Sequence, residues 1–245
     1  MRISRVYCEQ TMAIGDQIIL DTDQSHYVRN VLRLKSGQSI YLFNHSTSAD
    51  FLATLSIGSK HCFADITSCL EFDHESPLKI HLLVGVSSRD HLDWSIQKTT
   101  ELGVSKISLF NANHSQSPIK SGQLEKKMKH WQAVAIKACE QSQRHHVPDI
   151  QFQPNFARLL HEIDINDLKL ITHFEGRNFQ DIIKGLDRIR SMALLVGPEG
   201  GLSKTEIDLA IQNGFLKLGL GPRVLRTETA TTVAVTLAQS IAGDI

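Results

Sequence analysis

The sequence predicts a small all-β domain followed by an α/β domain built on a parallel sheet. Two patterns support this fold class. Short apolar segments separated by turn residues recur as far as residue 72. After a polar stretch that ends in Pro77, apolar runs alternate with segments of helical spacing. Such alternation is typical of parallel strands covered by helices on both faces. We therefore predict two domains, residues 1–72 and residues 73–245.

The first domain is expected to contain four strands and one helix. The helix is predicted at about residues 25–34, with Arg29 and Arg33 four positions apart on one face. Two neighbouring guanidinium groups suit RNA phosphates, although a solvated face with no function is the simpler interpretation. The predicted strands are residues 17–20, 39–43, 51–57 and 62–70.

The second domain is expected to alternate strands and helices. A helix capped by Asp90 is predicted to run to Leu102, and a long helix to cover residues 121–143. The predicted strands are residues 79–86, 106–110, 168–173 and 192–196, with a last one at 215–220.

Two similar glycine–proline turns stand out in the last third of the chain. The first follows the apolar run 192–196 at Gly197 and Pro198, and Ser203 with Glu206 has the spacing of a helix capping box. The second follows residues 215–220 at Gly221, before a polar loop and a helix predicted at 229–240. Turns at the carboxyl ends of neighbouring strands form ligand crevices. The pattern alone favours neither a binding site nor two ordinary turns, and neither turn has a nucleotide-binding fingerprint.

Composition excludes several classes of protein. The net charge is zero, and hydrophobic residues make up 41% of the 245 residues, as in ordinary globular proteins. No apolar run approaches the roughly 20 residues that span a bilayer, and the first residues lack the apolar core of a signal peptide. The four cysteines have no C-x-x-C spacing, so we expect free thiols in the cytoplasm and no metal site.

Five segments together resemble one known family. Residues 195–203, LVGPEGGLS, and 218–229, LGLGPRVLRTET, resemble the paired signatures of the RsmE family of SPOUT-superfamily RNA methyltransferases. Residues 26–33, 96–104 and 139–144 are similar to further segments of that family, so the resemblance covers nearly the whole chain.

The resemblance implies a fold, a reaction and partners. It implies a PUA-like N-terminal barrel that binds RNA, a C-terminal domain with a deep trefoil knot, and a homodimer with active sites at the subunit interface. The implied reaction transfers a methyl group from S-adenosyl-L-methionine to N3 of a uridine in 16S rRNA of the small ribosomal subunit. A noncatalytic RNA-binding protein on the same scaffold, or a nucleotide-dependent enzyme, remains a competing interpretation.

The site residues follow from the two signatures. The expected cofactor-binding residues are Thr172, Leu195, Val196, Gly197, Pro198, Glu199, Gly200, Leu218, Gly219, Leu220, Leu225, Arg226 and Thr227. Uridine N3 must lose a proton, and Glu228 and Glu199 are candidates for the base, with Arg226 or Arg223 stabilising charge on the uracil. Glu228 could equally orient an arginine. The expected RNA contacts are Arg2, Arg5, Arg29, Arg33, Arg89 and Arg144.

Overall fold

The computed structural model describes residues 3–164, 168–186 and 188–245. Contacts divide the chain into two compact units. The first comprises residues up to 75 together with 139–147, and the second comprises 76–138 and 148–245. The predicted domains, 1–72 and 73–245, differ from this division chiefly in segment 139–147, which contacts the first unit.

The first unit is built on a sheet of five strands: β1 (Ser4–Tyr7), β2 (Gln17–Ile19), β3 (Ser39–Phe43), β4 (Ala49–Ile57) and β5 (Cys62–Glu71). In the sheet they lie in the order β1-β3-β4-β5-β2. β1 pairs parallel with β3, and the other pairs are antiparallel. The alternating inward residues of these strands form one core that includes Val6, Leu42 and Leu55. β1 was missed from the sequence because Ser4 and Arg5 leave only two apolar residues in succession.

The helix predicted at residues 25–34 is shorter and less regular than expected. Helix α1 (Thr22–His26) begins at a capping box formed by Asp21, and a π-helical turn over Tyr27–Val31 follows it. Arg33 lies beyond this turn in the left-handed region, with φ of 54°. The prediction that Arg29 and Arg33 share one helical face is therefore wrong, because the chain leaves the helix between them.

Buried ion pairs attach segment 139–147 to the rest of the first unit. Arg5 donates from Nε and Nη2 to the Asp50 carboxylate at 2.8 Å each, and His145 Nε2 lies 3.0 Å from the same carboxylate. Arg5 Nη1 also donates to the Cys139 carbonyl. A second pair joins Arg144 to Glu75 at 2.7 Å. The segment is thus fixed by charges that have little access to water.

The second unit contains a sheet of six strands: β6 (Lys79–Gly85), β7 (Lys106–Phe110), β8 (Asp149–Phe152), β9 (Leu168–Arg177), β10 (Ser191–Val196) and β11 (Leu216–Leu218). In the sheet they lie in the order β11-β9-β10-β6-β7-β8. Every pair in it is parallel, as predicted. Apolar runs such as 191–196 are buried because helices cover the sheet.

The helices predicted for this unit are found with shifted ends, but β8 and two short helices, Phe156–His161 and Phe179–Ile183, were not predicted from the sequence. The capping box of Ser203 and Glu206 is confirmed at the start of α6. The predicted cap at Asp90 is wrong, because Ser88 is the N-cap and Asp90 lies in the first turn. The last helix begins two residues before the predicted 229. The helices are α2 (Arg89–Glu101), α3 (Leu124–Ser142), α4 (Phe156–His161), α5 (Phe179–Ile183), α6 (Lys204–Gln212) and α7 (Thr227–Ala242).

Candidate functional site

Both glycine–proline turns line one cavity at the carboxyl edge of the parallel sheet. Its volume is about 310 Å³. Gly197 and Pro198 come from the turn after β10, and Leu220 and Leu225 from the loop after β11. The predicted site residues found in the lining are Thr172, Val196, Gly197, Pro198, Leu220, Arg223, Leu225 and Thr227.

The sequence suggested that the two turns follow neighbouring strands, but in the structure they do not. β9 lies between β10 and β11, and His173 and Phe174 from the middle of β9 contribute to the cavity beside Thr172. These two residues were not predicted as site residues, although an aromatic residue directly after the apolar run that begins β9 is a usable signal. The turn glycines Gly201 and Gly221 also line the cavity, and the lining residues missed from the sequence are Leu202, Ile207, Val224 and Ala230.

Two glycines let the chain after β11 pass very close to β9. A Cβ atom at Gly176 would collide with the backbone of Leu218 and Gly219. The Gly219 N–H donates to the Arg177 carbonyl at 2.8 Å across this contact. Only glycine permits backbones to approach this closely, so both residues shape one wall of the site without lining it.

Six predicted cofactor residues lie outside the lining. Leu195 and Leu218 are fully buried beneath the sheet edge, where they support the turns. Gly200 contacts His114, and a Cβ there would lie 2.8 Å from the His114 Cβ. Gly219 makes the contact with β9 described above. Glu199 belongs to the polar cluster described next, and Arg226, which was also a catalytic candidate, is the exposed N-cap of α7.

A carboxylate–histidine cluster brings together the first turn, α2 and α7. Glu199 accepts hydrogen bonds from the Ser88 N–H and from His91, each at 2.9 Å. Burial alone would raise the pKa of Glu199, but these two hydrogen bonds outweigh it and lower that pKa below its usual value. His91 Nδ1 also lies 3.9 Å from Glu228 Oε2. His91 was not identified from the sequence, because one histidine within a helix carries no specific signal.

Glu228 has an unusual environment within this cluster. Its side chain is 14% exposed. Its buried Oε2 has no hydrogen-bond partner among the residues that the structure describes. A buried carboxylate oxygen without a donor is costly, so a group that satisfies it is expected to come from a bound molecule or water. Its neighbour Thr227 lines the cavity.

The structure separates the predicted RNA contacts into two groups. Arg5 and Arg144 are buried and paired with carboxylates, so we withdraw both as phosphate contacts. Arg29 is half-buried and donates to Cys62 Sγ and the Ser59 carbonyl, both at 3.2 Å. Arg33 is exposed, and Arg89 is exposed with its Nε 3.7 Å from Asp93. Arg2 lies outside the described residues.

The described residues contain neither a metal-binding group nor a membrane-spanning helix. No group of three or more histidines, cysteines or carboxylates there could hold a metal ion. No helix in the same residues is long and apolar enough to cross a membrane.

Comparison with known families identifies the class of protein. Residues 74–239 match the RNA methyltransferase domain, and residues 20–67 match the RNA methyltransferase PUA domain. The first match covers the parallel sheet and both turns of the cavity. The fold and the site are therefore those of an RNA methyltransferase.

Individual relatives narrow this class to one family. Ribosomal RNA small subunit methyltransferase E of Buchnera aphidicola is 33% identical over 244 residues, which cover 100% of this chain and 98% of the relative. The chain belongs to the ribosomal RNA small subunit methyltransferase E family.

Two solved structures are similar over their whole length. The enzyme of that name from Neisseria gonorrhoeae, bound to S-adenosyl methionine, is 30% identical with a TM-score of 0.88, and 100% of each chain is covered. A Legionella pneumophila protein solved with bound SAM is 35% identical with a TM-score of 0.94, again over 100% of each chain.

Proposed function

We propose that this protein transfers a methyl group from S-adenosylmethionine to N3 of a uridine in 16S rRNA of the small ribosomal subunit. The observation that carries the proposal is that both glycine–proline turns line one cavity. Relatives named for small-subunit rRNA methylation match the whole chain, and one of them is bound to S-adenosyl methionine.

The cavity fits a cofactor of this kind. Its 310 Å³ lies at the lower end of the range for small-molecule sites, about 300–1,000 Å³. Apolar side chains such as Val196, Leu202 and Leu225 provide walls for the apolar parts of the cofactor. Backbone at the ends of β9 and β10 supplies N–H and C=O groups for its polar parts. When bound, the cofactor supplies an activated methyl group on a sulfonium centre.

Glu228 is our candidate for the base that accepts the N3 proton. Glu199 Oε1 already accepts hydrogen bonds from Ser88 and His91, whereas the buried Glu228 Oε2 has no hydrogen-bond partner among the described residues. A neutral imide nitrogen is a poor nucleophile, so a carboxylate positioned beside it increases the rate of transfer. Glu228 is not itself among the lining residues of the cavity, but its neighbour Thr227 is.

Arg223 is our candidate for stabilising charge on the uracil carbonyl oxygens. It is exposed and lines the cavity, whereas Arg226 does not line it. A guanidinium at the mouth of the cavity would meet the negative charge that develops as the proton leaves.

The remaining expectations from the resemblance complete the proposal. We place RNA binding chiefly in the first unit, with Arg29 and Arg33 as contacts, and add Arg89 of the second unit, which also carries catalysis. We also propose the deep trefoil knot that the resemblance implies. A homodimer is supported by the exposed Phe174 and Val224 beside the cavity, which a second copy would cover. A cytoplasmic location suits the ribosomal substrate and the free cysteines.

The decisive experiment is mass spectrometry of small-subunit rRNA from cells with and without this protein. We expect one 3-methyluridine to disappear when the protein is absent. Calorimetry with S-adenosylmethionine tests the cavity separately, because a noncatalytic RNA-binding protein would produce no binding heat. An unchanged modification pattern would refute the proposal.

The role of Glu228 has its own test. Glu228→Gln keeps the size of the side chain but cannot accept the proton, so we expect turnover to fall by about 10²- to 10⁴-fold with little change in cofactor affinity. Glu101→Gln, a change to a surface carboxylate paired with Lys98, is the matched control. If Glu228→Gln and the control have equal turnover, Glu228 is not the base.

A further inference from the structure

A second cavity lies at the opposite edge of the parallel sheet from the proposed cofactor site. Its volume is about 630 Å³. Lys79 begins β6, and Arg190 directly precedes β10, where its carbonyl accepts a hydrogen bond from the Lys79 N–H at 2.9 Å. β10 has six residues, so the two cavities are about 20 Å apart, the length of that strand.

The lining of this cavity is strongly basic. Lys79, Arg188 and Arg190 contribute three cations, and no carboxylate is among the described lining residues. All three residues are exposed, and no hydrogen bond or ion pair of their side chains is found in the part of the chain that the structure describes. The buried Arg5 and Arg144 differ in this respect, because carboxylates of the first unit satisfy them. In a chain with zero net charge, three exposed cations for which the described residues provide no partner favour an anionic ligand.

The cavity also has an apolar side. Ile183, Ile189 and Ile241 line it, and Leu186 is 50% exposed there. Two guanidinium forks suit phosphate oxygens, and the apolar side chains suit the face of a sugar or base. The combination matches the alternating charged and apolar surfaces of a nucleic acid strand.

We propose that this basic cavity binds phosphates of the same RNA, about 20 Å from the base that is methylated. The inference rests on the proposed function, because the RNA that reaches the cofactor cavity is the polyanion available to the second unit. Binding at both edges of the sheet would orient the RNA before transfer. The site is distinct from the arginines that we assign to the first unit and to α2.

The test compares the double variant Arg188→Gln/Arg190→Gln with the control Arg158→Gln/Lys204→Gln. Both lower the charge of the second unit by two, and the control residues are exposed on α4 and α6, outside either cavity. The probe is an in vitro transcript of small-subunit rRNA, measured from 50 to 200 mM salt. Two lost phosphate contacts should flatten the salt slope by about 1.4 to 1.8 and weaken binding about twentyfold near 150 mM salt.

The outcomes separate this inference from the proposed function. Cofactor affinity and melting temperature of the double variant should equal those of the wild type. The inference is overturned if the RNA affinities of the two variants agree, or if the cavity variant loses only binding to anionic lipid vesicles. If the wild type methylates no RNA but the cavity variant still shows the flattened slope, the proposed function fails and this inference survives.

Discussion

Replacing Asp50 by asparagine should expose how much the first unit depends on its buried ion pairs. Arg5 and Asp50 are 5% and 4% exposed at the side chain. The substitution keeps the shape of the site but leaves the Arg5 guanidinium without its counter-charge. Breaking a buried pair in this way costs about 3–5 kcal/mol. For a chain of this size each kcal/mol lowers the melting temperature by about 2–4 °C, so we expect a drop of about 6–20 °C.

The assay is scanning calorimetry of the full chain, with Asp208→Asn on the exposed face of α6 as control. The control should stay within about 0.5 kcal/mol of the wild type. The double variant Arg5→Met/Asp50→Leu should recover only part of the loss, because it removes the unpaired Arg5 charge but leaves His145 Nε2 and the Cys139 carbonyl without their partners. Equal melting temperatures for Asp50→Asn and the control would refute the reasoning.

The same pair predicts how stability depends on pH. Burial alone would raise the pKa of Asp50, but hydrogen bonds from His145 and Arg5 outweigh it and lower that pKa below its usual value. The carboxylate therefore stabilises the fold above the ordinary carboxyl pKa of about 4, and this stabilisation is lost as the pH falls below it. The Asp50→Asn variant should lose less stability than the wild type on acidification.

Three further predictions concern other sites. Gly176→Ala should weaken S-adenosylmethionine binding at least tenfold in calorimetry, because its Cβ would collide with the backbone of Leu218. The control Gly122→Ala should bind normally, because nothing lies within 4 Å of a Cβ there. Equal affinities of the two variants would contradict this prediction. Burial, with help from Lys106, lowers the pKa of His81 to about 4. On acidification the unfolded chain therefore protonates His81 at a higher pH than the folded chain does, so the free energy of unfolding falls between pH 6.5 and 4. This fall should be less steep in His81→Gln than in the wild type. Equal pH dependence of the two free energies, measured by urea unfolding, would argue against the prediction. Arg33→Ala should reduce the salt slope of RNA binding by somewhat under one, since Arg33 is exposed, and an unaltered slope would remove it from the interface.

Local signals in the sequence predicted the elements well. Apolar runs gave β6, β7 and β10, and the spacing of Ser203 and Glu206 gave the start of α6, because such signals depend on residues close in the chain. The resemblance added the family, which the comparisons confirm. The short strand β1 and the π-helical turn before Arg33 have no comparable local pattern.

Features set by distant residues could not be predicted from the sequence. The placement of β9 between β10 and β11 depends on packing of the whole sheet, so the contribution of His173 and Phe174 to the cavity was missed. Arg5 and Arg144 were predicted to face RNA because each is a cation near other cations. Their partners Asp50 and Glu75 lie 45 and 69 positions away, and only the folded chain brings them together.

The discontinuous first unit has a consequence for synthesis on the ribosome. Its strands are complete by residue 71, but its charged partners at 144 and 145 emerge only after the first part of the second unit. At about 5–20 residues per second, Glu75 waits several seconds for Arg144, whereas Asp50 has Arg5 from the start and waits only for His145. The nascent first unit should therefore pass through an interval in which Glu75 has no counter-charge, and gene fragments that stop near residue 75 should yield a less stable product.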